Sequence, residues 1–177
     1  MKPKKILIIG GPATGKTTLI NALIDRGYDC KIEISRKVTR KAQSSGIDQI
    51  FLEDPIWFSE QLLEARITQF TESNLSKSNF VFFDRGIPDV VAYLDYINVK
   101  YDQKFVISAE TFKYDKVFIL SPWKLIYSQD NERYETFEQA LEIQNYLIKW
   151  YKYFGYNPIE VPKVTINQRV DFILNNV

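Results

Sequence analysis

Residues 10–17 read GGPATGKT, and they directly follow the apolar run KILII at residues 5–9. The eight residues match the pattern G-x-x-x-x-G-K-[ST], in which a glycine-rich loop joins a strand to a helix and holds phosphate groups. Glycine permits backbone angles that a Cβ atom disfavours, so successive N–H groups can turn toward phosphate oxygens. The pattern predicts a buried strand at residues 5–9, a phosphate loop at residues 10–17 and a helix at residues 17–26.

The phosphate loop supplies most of the predicted nucleotide site. The helix that follows it adds unpaired N–H groups and the positive end of its dipole. Lys16 can reach the β- and γ-phosphates, and the Thr17 hydroxyl can ligate Mg²⁺. The predicted nucleotide contacts are Gly10, Gly11, Pro12, Ala13, Thr14, Gly15, Lys16, Thr17 and Thr18. The alternative is a glycine-rich turn with an incidental lysine.

Strand and helix signals alternate along the whole chain. Further strands are predicted at residues 28–34, 80–83, 116–120 and 157–161, and further helices begin near residues 55, 90, 136 and 166. This order predicts an α/β fold with a five-stranded parallel sheet and helices on both faces. No linker interrupts the pattern, so we expect a single domain over residues 1–177. Such sheets bind ligands at the carboxyl ends of their strands.

Charge and hydropathy exclude several classes of protein. The net charge of the 177 residues is +1, which gives no case for non-specific binding of nucleic acid. Residues 1–41 carry ten Lys/Arg and three Asp/Glu, which suits either a polyanionic small ligand or a solvated surface. No apolar run approaches the roughly 18 residues of a membrane span, and the first apolar run is too short for a signal peptide. We therefore expect a cytoplasmic protein without a membrane span.

The chain contains no histidine and a single cysteine, Cys30. An internal disulfide, a cysteine metal cluster, His-ligated zinc and any imidazole base are therefore excluded. If the protein is an enzyme, a carboxylate, a lysine, a tyrosine or water must transfer the proton.

Two carboxylates follow predicted strands. Asp84 ends an apolar strand, where an acid can hold the magnesium shell, although a helix cap or a surface ion pair would use the same residue. Arg85 follows it and can contact substrate or support the loop. Glu33 lies near the end of the second strand and can accept the proton of a substrate hydroxyl; taken alone it also fits a surface residue. Arg36, and Arg40 one helical turn later, can hold an anionic substrate group.

The polar segment at residues 121–135 connects the fourth strand to a long helix. It contains a single arginine, Arg133, which can neutralise charge on a transferred phosphoryl group if the segment closes over the site. The alternative is an ordinary connecting loop with a solvated arginine.

Several longer stretches are similar to one known family. GGPATGKTTLINAL with the RGY segment, VFFDRGIPD, YDKVFILSPW, DNERYE and FGYNPIEVP resemble the AAA-type P-loop domain found in the NadR ribosylnicotinamide kinase and related proteins. The resemblance implies a nucleoside- or nucleotide-kinase-like P-loop NTPase fold with a short lid at about residues 121–135. It also implies that Glu33 is the acceptor-side carboxylate, Asp84 the Walker B acid and Arg133 the lid arginine, with the nucleotide base near residues 162–164.

These observations lead to one functional hypothesis and two alternatives. We expect an ATP- and Mg²⁺-dependent phosphotransferase that acts on a small hydroxyl-bearing, nucleoside-like acceptor, with Lys16, Glu33, Asp84 and Arg133 in catalytic roles. ATP is favoured over GTP because the guanine-reading N-K-x-D motif is absent. The first alternative is a nucleotide-binding switch or slow NTPase that acts through a partner or a phosphoinositide-type headgroup. The second is a binder without turnover. The sequence assigns no oligomeric state.

Overall fold

A single parallel sheet forms the centre of the computed structural model, which describes residues 2–43, 50–127 and 135–177. Its spatial order is β2-β3-β1-β4-β5, so the first strand lies in the middle between β3 and β4. Every strand pair is parallel. The strands are β1 (Lys4–Ile9), β2 (Asp29–Lys31), β3 (Phe80–Asp84), β4 (Lys116–Ile119) and β5 (Ile159–Glu160).

Helices connect the strands. Within the described ranges they are α1 (Lys16–Asp25), α2 (Ser35–Gln43), α3 (Ile50–Glu53), α4 (Pro55–Glu72), α5 (Ile87–Tyr96), α6 (Lys104–Thr111), α7 (Phe137–Tyr153) and α8 (Ile166–Leu174). None of these helices is long and apolar enough to cross a membrane.

Alternate residues of β1 point to opposite faces of the sheet and divide the core in two. Ile6 and Ile8 pack with Leu19 of α1 and Val170 of α8 on one face. On the other face, Leu7 and Ile9 pack with residues of α5 and α7, among them Ala92, Ile143 and Leu147. The central strands β1, β3 and β4 carry nearly continuous apolar residues because both of their faces are covered. The predicted α/β fold, with a parallel sheet and helices on both faces, is confirmed.

Two helix starts that the sequence predicts from local capping signals, the pair Asp54-Pro55 and the capping-box pattern of Thr136 and Gln139, are also confirmed. The Asp54 carboxylate accepts a hydrogen bond from the backbone N–H of Trp57 at 2.9 Å and begins α4. At the start of α7, Thr136 and Gln139 form the reciprocal pair of a capping box. Each cap satisfies N–H groups that have no partner inside the helix.

The second strand is shorter than predicted, and the polar segment after it is helical. β2 ends at Lys31 instead of residue 34 because the Glu33 carboxylate accepts the backbone N–H groups of Ile34 and Ser35. These bonds take the chain out of the sheet and into α2. The sequence analysis placed Arg36 and Arg40 one helical turn apart without giving bounds for a helix there, and it did not predict α3 or α6. Helix α2 is mostly polar and carries no wide apolar stripe.

The core position of Leu7 and the surface position of Leu75 give a stability test. Leu7 is fully buried, whereas Leu75 is 84% exposed. We expect Leu7→Ala to lower the free energy of unfolding by about 2–5 kcal/mol because it leaves a cavity in the core. Leu75→Ala should change it by less than about 0.5 kcal/mol. Urea unfolding followed by circular dichroism measures both, and equal effects of the two substitutions would contradict this core assignment.

Candidate active site

A cavity of about 820 Å³ opens at the carboxyl ends of the strands. Residues that follow each of the five strands line it: the phosphate loop after β1, Glu33 after β2, Arg85 after β3, Trp123 after β4 and Val164 after β5. Side chains from α2, α4, α5 and α7 complete the wall. The parallel sheet thus gathers segments that are distant in the sequence.

The phosphate loop bends sharply between β1 and α1. Gly10 has a φ of +149°, and a Cβ atom there would lie 2.4 Å from the backbone oxygen of Leu120. Gly15, at φ +87°, immediately precedes α1. Both positions therefore require glycine, one for close approach to β4 and the other for its left-handed backbone. The loop wraps around the Lys16 side chain, which donates to the Gly11 carbonyl oxygen at 2.6 Å.

Lys16 lies inside the loop at the start of α1. Burial lowers the pKa of its ammonium group, and the nearby Arg85 lowers it further, to about 8. The carboxylates of Asp84 and Glu33 act in the opposite direction. A triphosphate in the loop would add negative charge beside this amine and stabilise its protonated form.

Asp84 and Thr17 lie where the sequence places a magnesium site. Asp84 is buried at the end of β3, and its Oδ1 atom has no hydrogen-bond partner among the described residues. Burial raises the pKa of this carboxyl group, against the opposing effect of Lys16. The Thr17 side chain lies at the exposed start of α1 and lines the same cavity. An orphaned carboxylate oxygen and a hydroxyl fit Mg²⁺, which keeps several waters and also binds substrate phosphates.

Glu33 forms the centre of a charged cluster. Its Oε1 atom accepts the backbone N–H groups of Ile34 and Ser35 at 2.9 and 3.0 Å. Its Oε2 atom pairs with Arg85 Nε, and Arg66 Nη2 lies 3.5 Å from Oε1. Burial by itself raises the pKa of Glu33, but the two arginines and the Ser35 N–H outweigh it and lower this pKa to about 2. The carboxylate is therefore ionised at neutral pH.

The remaining predicted substrate residues also line the cavity. Arg85 has a φ of +72° and forms an ion pair with Glu33. Burial by itself lowers the pKa of Arg85, but the carboxylates of Glu33, Asp89 and Asp84 together outweigh burial and raise this pKa. Arg36 and Arg40 lie one turn apart on α2, and both belong to the cavity wall. Among the predicted nucleotide contacts, residues 12–18 line the cavity directly. Arg133 lies outside the described residues.

Sequence reasoning missed four charged residues of the cavity, one of which is Glu135, just before α7. Arg66 comes from the middle of α4, Asp89 from the first turn of α5, and Arg169 from α8. The guanidinium of Arg169 stacks 4.9 Å from the ring centre of Trp123 and lies 3.5 Å from the Thr14 carbonyl oxygen. The sequence contained one signal that could have revealed Arg66, Asp89 and Arg169. Each is a charged residue at a helix position that would otherwise be expected to face the core.

An apolar surface contributed by α3, α4 and α5 forms part of the cavity wall. Phe51 and Phe58, whose rings lie 6.3 Å apart, line it together with Leu62, Val90 and Tyr93. A partly aromatic wall in the same cavity as a charged cluster suits a ring-shaped ligand that carries a polar group.

Comparison with known proteins agrees with this geometry. A family model described as an AAA domain matches residues 5–169. The chain belongs to this AAA domain family. The match covers all five strands and the phosphate loop, and ends at Arg169 on α8. No curated protein matches the chain.

Solved structures with similar folds include nucleoside and nucleotide kinases. A deoxyadenosine kinase from M. mycoides is 16% identical, with a TM-score of 0.70 and 97% of each chain covered. A thymidylate kinase from Candida albicans is 16% identical, with a TM-score of 0.67, 99% of this chain and 91% of the other covered. The NadR protein is 15% identical, with a TM-score of 0.72; the alignment covers 98% of this chain but 49% of NadR. The AAA domain described here thus has the P-loop fold of nucleoside and nucleotide kinases.

The lowered pKa of Lys16 predicts how triphosphate affinity depends on pH. Because bound phosphates favour the protonated amine, the free protein must take up a proton at any pH above about 8. We expect the affinity for metal-free ATP to fall about tenfold between pH 7 and pH 9. Isothermal titration calorimetry in EDTA measures this change.

Lys16→Arg is the control for that experiment. Its guanidinium does not titrate in this range, so any remaining affinity should be independent of pH. The N-terminal amine also titrates in this pH range, and both proteins contain it. A difference in pH dependence between the two proteins therefore reports on residue 16. Equal affinity of the unaltered protein at pH 7 and pH 9 would contradict the assignment.

Proposed function

We propose that this protein is an ATP-dependent phosphotransferase that transfers the γ-phosphoryl group to a hydroxyl group of a small, nucleoside-like acceptor. The observation that supports this most directly is the ionised, half-buried Glu33, which lines the same cavity as the phosphate loop. The phosphate loop would hold the triphosphate, and the carboxylate would receive the proton that the acceptor releases.

The charge of Glu33 favours a hydroxyl over a phosphate as the accepting group. A phosphate oxygen already carries negative charge and needs no base, and an ionised carboxylate beside it would repel it. A hydroxyl group, by contrast, must lose its proton as the new bond to phosphorus forms. The two arginines nearest Glu33 contact its carboxylate, so in this geometry their charge is directed to Glu33.

Each residue of the site has a defined task in this scheme. The acceptor oxygen forms a bond to the γ-phosphorus, the bond to the β–γ bridging oxygen breaks, and the hydroxyl proton passes to Glu33. Lys16 and the loop N–H groups hold the triphosphate in line with the acceptor. Thr17 and Asp84 would hold Mg²⁺, which neutralises phosphate charge when it is bound. Arg133 in the segment 121–135 would add positive charge over the transferred group.

The cavity wall supports a planar acceptor. The aromatic and aliphatic residues of α3, α4 and α5 can cover the faces of a ring, while Arg36 and Arg40 offer positive charge near its edge.

We propose a single catalytic domain over residues 1–177 in the cytoplasm, with a nucleoside triphosphate and a small acceptor as its ligands.

Glu33→Gln tests the proposed reaction. We expect the variant to bind ATP with unchanged affinity and to lose about 10²–10⁴-fold in turnover, because an amide cannot take up the proton. ADP release is measured with ATP, Mg²⁺ and a panel of nucleosides and nucleoside monophosphates. ADP formation should depend on the nucleoside and should be absent with the monophosphates.

Two further variants make the result decisive. Lys16→Ala serves as the inactive reference, and Glu142→Gln alters an exposed acid of α7 outside the cavity and should keep full turnover. ADP release that is independent of every acceptor and unchanged in Glu33→Gln would instead favour a switch or slow NTPase. ATP binding without any ADP release would favour a binder.

A further inference from the structure

The two oxygens of Glu33 have different surroundings. Oε1 accepts two backbone N–H groups and lies 3.5 Å from Arg66 Nη2, so its acceptor capacity is occupied by the protein's own groups. Oε2 forms an ion pair with the Arg85 guanidinium and, among the described residues, accepts no hydrogen bond. A hydroxyl that reaches Glu33 from the cavity can therefore bind only at Oε2, in place of part of the Arg85 contact.

The two arginines are also unequal. The Arg66 side chain is 4% exposed, whereas that of Arg85 is 27% exposed. Arg66 is fixed at both ends of its guanidinium, because Nη1 donates to the Gly86 carbonyl oxygen at 2.8 Å while Nη2 approaches Glu33. It thereby joins the end of β2 to the turn after β3.

That turn has little freedom to move by itself. Arg85 is in the left-handed region at φ +72°, which is unfavourable for a residue with a side chain. The Gly86 N–H donates to Asp89 at 2.9 Å, and a Cβ atom at Gly86 would lie 2.8 Å from the Leu7 side chain. The hydrogen bond from Arg66 to the Gly86 carbonyl oxygen further restrains this turn, which places Arg85 next to Glu33.

We propose that Arg66 is a positioning residue of the proposed phosphotransfer: it holds the Glu33 carboxylate by Oε1 and the Arg85 turn by the Gly86 carbonyl, and so leaves Oε2 as the oxygen that receives the acceptor's proton. Arg66 itself does not contact the reacting atoms. The inference rests on the proposed function, and it assigns the two arginines different parts. Arg85 is the exchangeable partner of Oε2, and Arg66 is the fixed partner of Oε1.

Two substitutions of Arg66 test the inference. Arg66→Gln removes the charge, and we expect kcat to fall about 100-fold with the KM values for ATP and acceptor within about threefold of the original, because the base is displaced and the binding sites are not. Arg66→Lys keeps the charge, but one ammonium cannot replace both guanidinium contacts. We expect it to recover part of the loss and to remain about tenfold below the original kcat.

The pH profile separates positioning from a general loss of structure. The charged groups that face Glu33 are Arg66, Arg85, Lys16 and Asp84. Glu33 must be ionised to accept the proton, and the Arg66 charge lowers the pKa of Glu33. Loss of that charge in Arg66→Gln should therefore move the fall of kcat at low pH to higher pH, whereas Arg66→Lys should leave it nearly unchanged. Arg26→Gln is the matched control: it breaks a surface ion pair with Asp171, away from the cavity, and should leave both kcat and its pH profile unaltered.

Several results would overturn the inference. Arg66→Gln with the original kcat would do so, as would a raised KM at constant kcat, which would make Arg66 a substrate-binding residue. If Arg66→Gln does not fold, Arg66→Lys decides, since the original kcat in that variant would show that the double contact is unnecessary.

A readout without turnover keeps this inference separate from the proposed function. The ¹³C-carboxyl resonance of Glu33, assigned by its absence in Glu33→Gln, can be titrated in the protein and its Arg66 variants. An upward shift of its midpoint in Arg66→Gln and a smaller one in Arg66→Lys support the contact, even if no nucleoside is phosphorylated and the proposed function fails. An unchanged midpoint in both variants overturns it.

Discussion

The site depends on the central position of β1 between β3 and β4. This pairing is parallel, so the turns after all three strands leave the sheet at the same edge. Gly10, with its close approach to the Leu120 carbonyl, allows the phosphate loop to form in the narrow space beside β4. Without this arrangement Lys16 and Asp84 would not share a cavity.

A second constraint on the site is electrostatic. Six basic and four acidic side chains line the cavity, and several of them are buried. Burial disfavours an isolated charge, so most of these groups are paired: Glu33 with two arginines, Lys16 with loop oxygens, and Asp89 with a backbone N–H and the Tyr151 hydroxyl. Among the described residues, the Asp84 Oδ1 atom has no hydrogen-bond partner, so this carboxylate is able to accept a cation.

The aromatic wall is built on other elements than the phosphate loop. The phosphate loop and the carboxylates come from the strand ends, whereas the wall comes from α3, α4 and α5, which are separate from the sheet. Helix residues can therefore differ between relatives without disturbing the phosphate-binding machinery.

The sequence by itself determined the class of fold, the phosphate loop and the helix caps, because these depend on residues close together in the chain. The loop is marked by the spacing of its glycines after an apolar run, and the cap of α4 by an acid, Asp54, three residues before the backbone N–H that it accepts. It also indicated that Asp84 ends a strand and that Glu33 lies near the end of another. Only the tertiary structure decided the strand order and the early end of β2. It also brought Arg66 and Arg85 onto the two oxygens of Glu33. Those contacts join residues 33 or more positions apart, and a buried arginine on an apolar helix has no local pattern that names its partner.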